Sequence, residues 1–452
     1  MYHVRRESHV TVKYLIFRSC LHDLLLHHVE YQAENGPKKT EQWYFLEAIR
    51  FKRIKELHAI ALPLPQSYWT ELFRGRFENL IKLNVYLSCN DQLLALIPDY
   101  CPNLEYLDAS SPMSGRFETS DSDRIVTDSG LRYLARCRKL KVLKLNYPRP
   151  CMIPGAPRFP TYVTFSGLRH LLKSVPTLEA FPPVDIGEVL STGFEDVDSL
   201  NLRIVEHWSP SSKSLEDIFR LCKLINRLIL IGPVDDSKAS VTETLCQADI
   251  SPSEIELHDI KLGDQFDAFL NQFGLNLTSL TLTQMDRADE ITFKQVILIA
   301  KHCPNLRVFG CNQLVNRVSD PLPPTNLRQF AKLEILSLSG WNLNFKKLLT
   351  FCTEFAQGLE ELRLDDERSL WVRVDRQILD FIKSTNLKRL FFSRNFRCSD
   401  EIALEIIEKF PNLRQLTAYG SDFVALKKEL ASQNYDIEIR NVGSFSRIFH
   451  NM

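Results

Sequence analysis

The sequence predicts an α/β solenoid in the form of a horseshoe, with parallel strands on the concave face and helices on the convex face. Three observations predict this fold class. The chain has 452 residues, well beyond the roughly 100–150 residues typical of one compact core. A short leucine pattern recurs along most of its length, and segments with helical periodicity precede its copies.

The leucine pattern is L-x-x-L-x-L with conservative substitutions. In the C-terminal half its first positions are 26 to 29 residues apart. Such even spacing predicts an array of structural repeats rather than several separate domains. The first positions are Leu80, Leu104, Leu140, Leu178, Ile225, Leu277, Leu306, Leu333, Leu359, Leu387 and Leu413, with a plausible earlier copy at Ile54 and a degenerate one at Ile255.

The segments before the pattern have the spacing of an amphipathic helix. Phe266, Phe269, Leu270 and Phe273 fall at positions i, i+3, i+4 and i+7, which lie on one face of a helix. Each unit is therefore predicted as helix, tight turn, short strand and loop. Since neither half can bury its apolar face alone, the units are expected to stack around a continuous core.

The turn between helix and strand has a signature of its own. Cys101-Pro102-Asn103-Leu104 and Cys303-Pro304-Asn305-Leu306 are two copies, and Cys137-Arg138-Lys139-Leu140 is a variant. With the leucine pattern, these residues resemble the cysteine-containing subclass of the leucine-rich-repeat family over residues 54–418. The resemblance implies a leucine-rich-repeat solenoid whose role is to bind other proteins.

Within that subclass the sequence is similar to the repeat domains of F-box proteins. This resemblance implies a substrate-recognition subunit of an SCF-type (cullin) ubiquitin ligase, with a cullin ligase adaptor among its partners. The F-box itself is not recognisable, because Tyr14–Leu26 and Trp43–Ile49 are the only candidates and neither matches its pattern. A leucine-rich-repeat adaptor or inhibitor unrelated to ubiquitination is the alternative.

The predicted organisation has three parts. Residues 1–53 form an N-terminal cap or atypical first repeats, 54–440 form the solenoid, and 441–452 form a C-terminal tail. Three long insertions between strand and next helix, Ser110–Val126, Asn146–Val163 and Pro182–Lys213, are expected along one rim of the array. Insertions on one rim are often binding loops, although surface loops also lengthen at little entropic cost.

Composition narrows the classes of function. The 56 Lys and Arg balance the 56 Asp and Glu, which argues against nucleic acid or a membrane as the principal partner. The eleven cysteines form no CxxC pair, and no apolar run is long enough to span a membrane, so we expect a cytoplasmic or nuclear protein.

The sequence contains no catalytic motif or metal-ligand spacing that we recognise, so we expect a non-enzyme without cofactor or metal. The turn cysteines are expected to be buried apolar residues.

The candidate binding residues lie on the predicted concave face and the insertion rim. Residues that flank the central leucine of each pattern should point to the concave face because side chains alternate along a strand. Tyr, Trp, Arg and Phe at such positions are typical of protein-binding hot spots. The predicted partner-binding residues are Tyr106, Asp108, Lys144, Arg363, Arg389 and Phe391 on strands, Trp341 and Tyr419 at strand ends, and Arg149 and Arg158 in the proline-rich insertion. Which of the two surfaces binds stays open, as does a third hypothesis of an enzyme with an unrecognised site.

Overall fold

The computed structural model describes most of the chain in segments. These are residues 10–14, 28–33, 55–60, 66–74, 77–86, 89–110, 126–145, 162–232, 238–260, 263–283, 291–315, 330–340, 345–366, 372–373, 376–393, 396–420, 423–432 and 436–441. The chain forms two compact units. Unit 1 extends to Trp208 and includes Glu216–Ile225, and unit 2 contains Ser209–Leu215 and the chain from Asn226 onward.

Unit 1 contains a sheet of six strands in chain order. The first pair is antiparallel and all later pairs are parallel. Single parallel bridges continue the ladder from Val142 to Ala180 and Ile204. The strands are Val10–Tyr14, His28–Ala33, Glu56–Ile60, Lys82–Asn84, Tyr106–Asp108 and Val142–Lys144, with Ile204–Trp208 farther along; the helices are Gln66–Phe73, Asp91–Tyr100, Asp128–Leu134, Phe165–Ser174 and Ile186–Leu190.

Unit 2 repeats the same arrangement with a ladder of parallel strands. Its main strands are Arg227–Ile231, Glu254–His258, Ser279–Thr283, Val308–Val315, Ile335–Gly340, Glu361–Asp366, Arg389–Phe392, Gln415–Gly420 and Glu438–Asn441. Short strands Ile291–Thr292, Val372–Arg373 and Phe396–Cys398 pair beside this ladder. The helices are Lys238–Gln247, Phe266–Phe273, Phe293–His302, Phe345–Thr353, Arg376–Phe381, Asp400–Lys409 and Val424–Ser432, and helix Ser212–Leu221 has residues in both units.

The core consists of the leucine positions that the sequence pattern predicts. Side chains in register on neighbouring strands all point inward, and each contributes about 1.5–3 kcal/mol by leaving water. The fold prediction of an α/β leucine-rich-repeat solenoid is confirmed. The central row comprises Leu57, Leu83, Leu107 and Leu143 in unit 1, and Leu228, Ile255, Leu280, Phe309, Leu336, Leu362, Leu390 and Leu416 in unit 2, all fully or almost fully buried.

The turn signature ties each repeat to the one before it. Cys101 and Cys303 are buried, as expected for apolar residues of the turn. The Nδ2 atom of Asn103 donates a hydrogen bond of 2.7 Å to the carbonyl of Glu78. Asn305 donates in the same way to Leu275, at 2.8 Å. The asparagine therefore satisfies a carbonyl that the preceding turn leaves unpaired.

Neighbouring helices of unit 1 are joined at their first turns. Asp91 accepts hydrogen bonds from the backbone N–H and the hydroxyl of Thr127. Asp128 accepts the same two bonds from Thr164, at 2.7 Å each. A Cβ atom at Gly130 would lie 2.3 Å from the Asp91 carboxylate, so only glycine permits this close approach.

The segment Pro182–Lys213 is a further repeat, so its prediction as an insertion was wrong. It contains helix Ile186–Leu190 and strand Ile204–Trp208. Its core positions are Leu202, Val205 and His207, all buried. A histidine replaces the last leucine of the pattern, which concealed the repeat. The other two predicted insertions lie largely outside the described residues.

Secondary structure is described close to both ends of the chain. Val10–Tyr14 is a strand. Helix Val424–Ser432 and strand Glu438–Asn441 follow the last full repeat. The F-box candidate Trp43–Ile49 lies outside the described residues. The boundaries 1–53, 54–440 and 441–452 stay a prediction.

Candidate partner-binding surfaces

The outward-facing residues of the parallel strands form what we call the strand face of each unit. In unit 1 its centre is Tyr106, which is paired in register with Lys82 on one side and Val142 on the other. The Lys82 ammonium lies 5.3 Å from the Tyr106 ring centroid, and the Lys144 ammonium lies 5.6 Å from it. Such cation–π contacts contribute about 0.5–1 kcal/mol at exposed sites. Tyr106 and Lys144 are thus in contact on the strand face, and their role in binding a partner stays a prediction.

Asp108 is held by local bonds beside this group. It is paired in register with Lys144, and its carboxylate accepts the backbone N–H of Ser110 at 3.1 Å. Glu56, one strand beyond Lys82, places a carboxylate 3.7 Å from the Lys82 ammonium. The strand face of unit 1 therefore has two cations, Lys82 and Lys144, and two anions, Glu56 and Asp108, around one tyrosine.

The strand face of unit 2 has a buried carboxylate near its C-terminal end. Glu361 is 3% exposed and contacts the guanidinium groups of both Arg363 and Arg389. Arg363 also lies over the ring of Phe391, with its guanidinium carbon 5.2 Å from the ring centroid. Three predicted residues therefore form one cluster around a glutamate that the sequence analysis did not select. Arg363 is 19% exposed and Arg389 is 46% exposed, so Arg389 is the cation most accessible from solvent.

A second charged cluster lies near the start of the unit 2 ladder. Arg227 bonds to the buried carboxylate of Glu256 and lies 3.7 Å from Glu254, while His258 lies 3.5 Å from Glu256. Burial alone would raise the pKa of Glu256, but its bonds to His258 and Arg227 outweigh burial and hold that pKa below the ordinary glutamate value. Glu256 is therefore ionised at neutral pH.

Uncharged side chains occupy the strands between the two charged clusters. Gly310 contributes no side chain, and a Cβ atom there would approach Thr281 to 3.2 Å. The exposed and half-buried members of this stretch whose side chains are described carry no charge, namely Ser279, Thr281, Thr283, Val308, Asn312, Ile335 and Ser337. The charged clusters are thus separated by a neutral stretch.

Four further predicted residues are described in part or not at all. Arg149, Arg158 and Trp341 lie outside the described residues. Tyr419 belongs to strand Gln415–Gly420, where it pairs with Arg397, and only its backbone is described. The partner-binding role of all ten predicted residues stays a prediction.

A buried polar group that the sequence analysis missed lies in the added repeat of unit 1. His207 Nδ1 lies 2.5 Å from Asp185 Oδ1. The same oxygen accepts the backbone N–H groups of Gly187 and Trp208, at 3.2 and 3.3 Å. Buried polar groups are tolerated when hydrogen bonds of this kind satisfy them. The group positions the helix Ile186–Leu190 on the strand that follows it.

The turn cysteines Cys101, Cys137 and Cys303 are poor nucleophiles. Burial raises the pKa of the Cys137 and Cys303 thiols to about 12, and that of Cys101 well above its ordinary value. These thiols are protonated at neutral pH, whereas a nucleophilic cysteine needs the thiolate. Over the described ranges there is no group of three His, Cys, Asp or Glu that could hold a metal ion, and no helix there is long and apolar enough to cross a membrane.

Comparisons with known proteins give likeness in fold only. No protein-family model matches the chain, and no curated protein matches its sequence. The crystal structure of the yeast Rad7 and Elc1 complex matches at 12% identity with a TM-score of 0.41, covering 83% of this chain and 88% of that one. The TLR13–ssRNA13 complex matches at 14% identity with a TM-score of 0.28, and the matched part is 52% of that chain. The stacked helix–strand repeats themselves define the fold as a leucine-rich-repeat solenoid.

Proposed function

We propose that this chain is a non-enzymatic scaffold that binds a protein partner through the strand face of unit 2. The observation that carries the proposal is the cluster of Arg363, Arg389 and Phe391 around buried Glu361. Arginine and aromatic residues dominate the binding energy of protein interfaces. A ladder of parallel strands offers a long surface on which a protein partner can bind.

Glu361 prepares the cluster for binding. A flexible arginine loses about 0.5–1.5 kcal/mol of conformational freedom when a partner immobilises it. Here the Glu361 carboxylate already fixes Arg389 at Nε, so much of that loss occurs on folding. The rest of the half-exposed guanidinium can bond to a carboxylate or carbonyl of the partner.

The finer proposal is that the partner is a substrate of an SCF-type ubiquitin ligase, for which this chain is the recognition subunit. The cysteine-containing repeat pattern, similar to that of F-box proteins, supports it. A leucine-rich-repeat adaptor or inhibitor with no ligase is the second candidate, because the repeat pattern is common to both.

Affinity purification followed by mass spectrometry tests both the partner-binding proposal and the ligase proposal. We expect the wild-type chain to recover protein partners that the Arg363→Glu/Arg389→Glu variant does not recover. The matched control is Lys332→Glu/Arg414→Glu, which makes the same charge change at exposed residues next to the ladder and should recover the same partners as wild type. Equal recovery by all three proteins would reject the strand face. Recovery of partners without any cullin or cullin adaptor would reject only the ligase proposal.

A further inference from the structure

One stretch of the chain concentrates positive charge. Between Ser129 and Leu178 there are ten Lys and Arg and no Asp or Glu, although the chain as a whole is neutral. Two neighbouring helices of unit 1, Asp128–Leu134 and Phe165–Ser174, lie in this stretch and pack against each other. The charge is therefore gathered on two adjacent repeats.

The outer side of these helices carries the cations at equivalent positions. The two helices begin alike, with Thr127 and Thr164 as their caps, so Arg132, Tyr133 and Arg136 correspond to Arg169, His170 and Lys173. Arg169 is engaged with the carbonyl groups of Val189 and Glu188, and Arg136 is paired with Asp99. We call the remaining exposed residues the basic face: Arg132, Tyr133, Arg138, Lys139, His170 and Lys173.

The two arginines of the basic face are uncompensated, whereas the Lys173 ammonium lies 5.4 Å from the ring centroid of Phe194. In the described part of the chain, neither Arg132 nor Arg138 has a carboxylate within ion-pair distance. Lys139 bonds to the side-chain oxygen of Asn103, a neutral group. Tyr133, which is 42% exposed, adds an aromatic surface among them. Cations near a helix C-terminus also stabilise the helix dipole, but this role does not account for an exposed tyrosine.

Acidic repeats bound the basic face on both sides. The preceding helix, Asp91–Tyr100, contains two aspartates and no Lys or Arg. After Lys173 there is no Lys or Arg before Arg203, and the exposed residues of that stretch include Glu188, Glu195, Asp196 and Asp198. A long phosphate backbone that crosses two repeats would meet these carboxylates, and like charges in contact cost binding energy.

We infer that the basic face binds a short acidic segment of a protein, at a site separate from the strand face. A segment two repeats wide places its carboxylates on the arginines and lysines and ends before the acidic flanks. Arg132 and Arg138 can hold carboxylates with two N–H groups each, and Tyr133 can pack against the apolar part of the segment. The charge complementarity selects an acidic polypeptide over a nucleic acid or a second copy of the chain.

Fluorescence anisotropy with defined probes tests this site. The probe is a labelled peptide of about twelve residues in which two glutamates alternate with one serine, at about 50 mM salt, where screening is moderate. We expect the Arg132→Glu/Lys139→Glu/Lys173→Glu variant to bind this peptide about tenfold or more weakly than wild type. The control variant Lys294→Glu/Lys301→Glu/Lys428→Glu, altered at exposed cations of unit 2 helices, should bind within about twofold of wild type.

Each other outcome rejects the inference. Equal loss in both variants would show an effect of net charge alone. Tighter binding of an oligo-dT of the same length would assign the basic face to nucleic acid. A wild-type dimer that the basic-face variant abolishes would assign it to a second copy. Far-UV circular dichroism of each variant confirms that the chain is folded, so that lost binding is not lost structure.

Discussion

The guanidinium carbon of Arg363 lies 5.2 Å from the ring centroid of Phe391 while the same guanidinium bonds to Glu361, so one side chain joins an aromatic ring to a buried carboxylate across two adjacent strands. Arg389 contacts the same carboxylate from the next strand. Glu361 therefore balances two cations that would otherwise repel each other. The stability of the strand face of unit 2 should depend on this one residue.

Glu361→Gln should lower the free energy of unfolding by about 2 kcal/mol, because two arginines lose their shared counter-charge in a largely buried position. Urea titration followed by circular dichroism measures the effect. Glu334→Gln is the control, since Glu334 pairs with Arg307 at an exposed site and should cost less than about 0.5 kcal/mol. Equal costs for the two variants would refute the role of Glu361.

Gly187→Ala should destabilise unit 1 by about 1–3 kcal/mol, because the added methyl group overpacks a filled site. A Cβ atom at Gly187 would lie 2.2 Å from the His207 ring, and His207 is fixed by its contact with Asp185. At Gly358 the nearest atom would be 3.7 Å away, so Gly358→Ala should be nearly neutral. Thermal unfolding of the two variants measures the difference; similar melting temperatures would contradict the packing of His207.

Glu256 should make stability depend on pH in acid. Its pKa is lower in the folded chain than its ordinary value of 4.5, so its contribution is present above that value and is lost as the pH falls through the folded pKa. The difference in unfolding free energy between wild type and Glu256→Gln should therefore be largest near neutral pH and shrink below about pH 4.5. Urea titrations at several pH values measure it. A difference in unfolding free energy that grows toward acid pH would contradict a lowered pKa of Glu256 in the folded chain.

Most thiols should resist labelling in the folded protein. Eight described cysteines are buried, and Cys246 is half-exposed. With Cys20→Ser/Cys151→Ser, which removes the two cysteines outside the described residues, a thiol reagent at about pH 8 should modify Cys246 first. The others should react only on unfolding. Rapid labelling of Cys137 or Cys303 in the native state would contradict their burial.

The sequence predicts those features of the fold that depend on residues within a single repeat. The helix Phe266–Phe273 buries the four residues that helical spacing selected. The cap of the helix that starts at Phe293 has reciprocal bonds between Thr292 and Gln295, residue types that are typical of a helix start at this spacing. Both features depend on residues within one turn of each other, so local spacing suffices.

Features that join different repeats could not be predicted in this way. Arg389 lies 28 residues beyond Glu361, and their contact depends on the register of two strands. The repeat that contains His207 was not recognised because a polar residue stands at a leucine position of the pattern. The histidine is tolerated there because it contacts Asp185, which lies on another element. Opposite charges at facing positions of successive repeats could have indicated these contacts from the sequence. Arg227 and Glu256 are a second example, because they lie on neighbouring paired strands and are hydrogen-bonded.

Site-specific photo-crosslinking tests the central claim most directly. The photoreactive residue p-benzoylphenylalanine is introduced in place of Ser337, in the neutral stretch of the unit 2 strand face, or in place of Lys301, an exposed helix residue of the same unit. We expect a cross-linked protein partner from position 337, lost when Arg363→Glu/Arg389→Glu is added, and none from position 301. Cross-links from position 301 alone, or cross-links from position 337 that survive the two charge reversals, would contradict binding through the strand face.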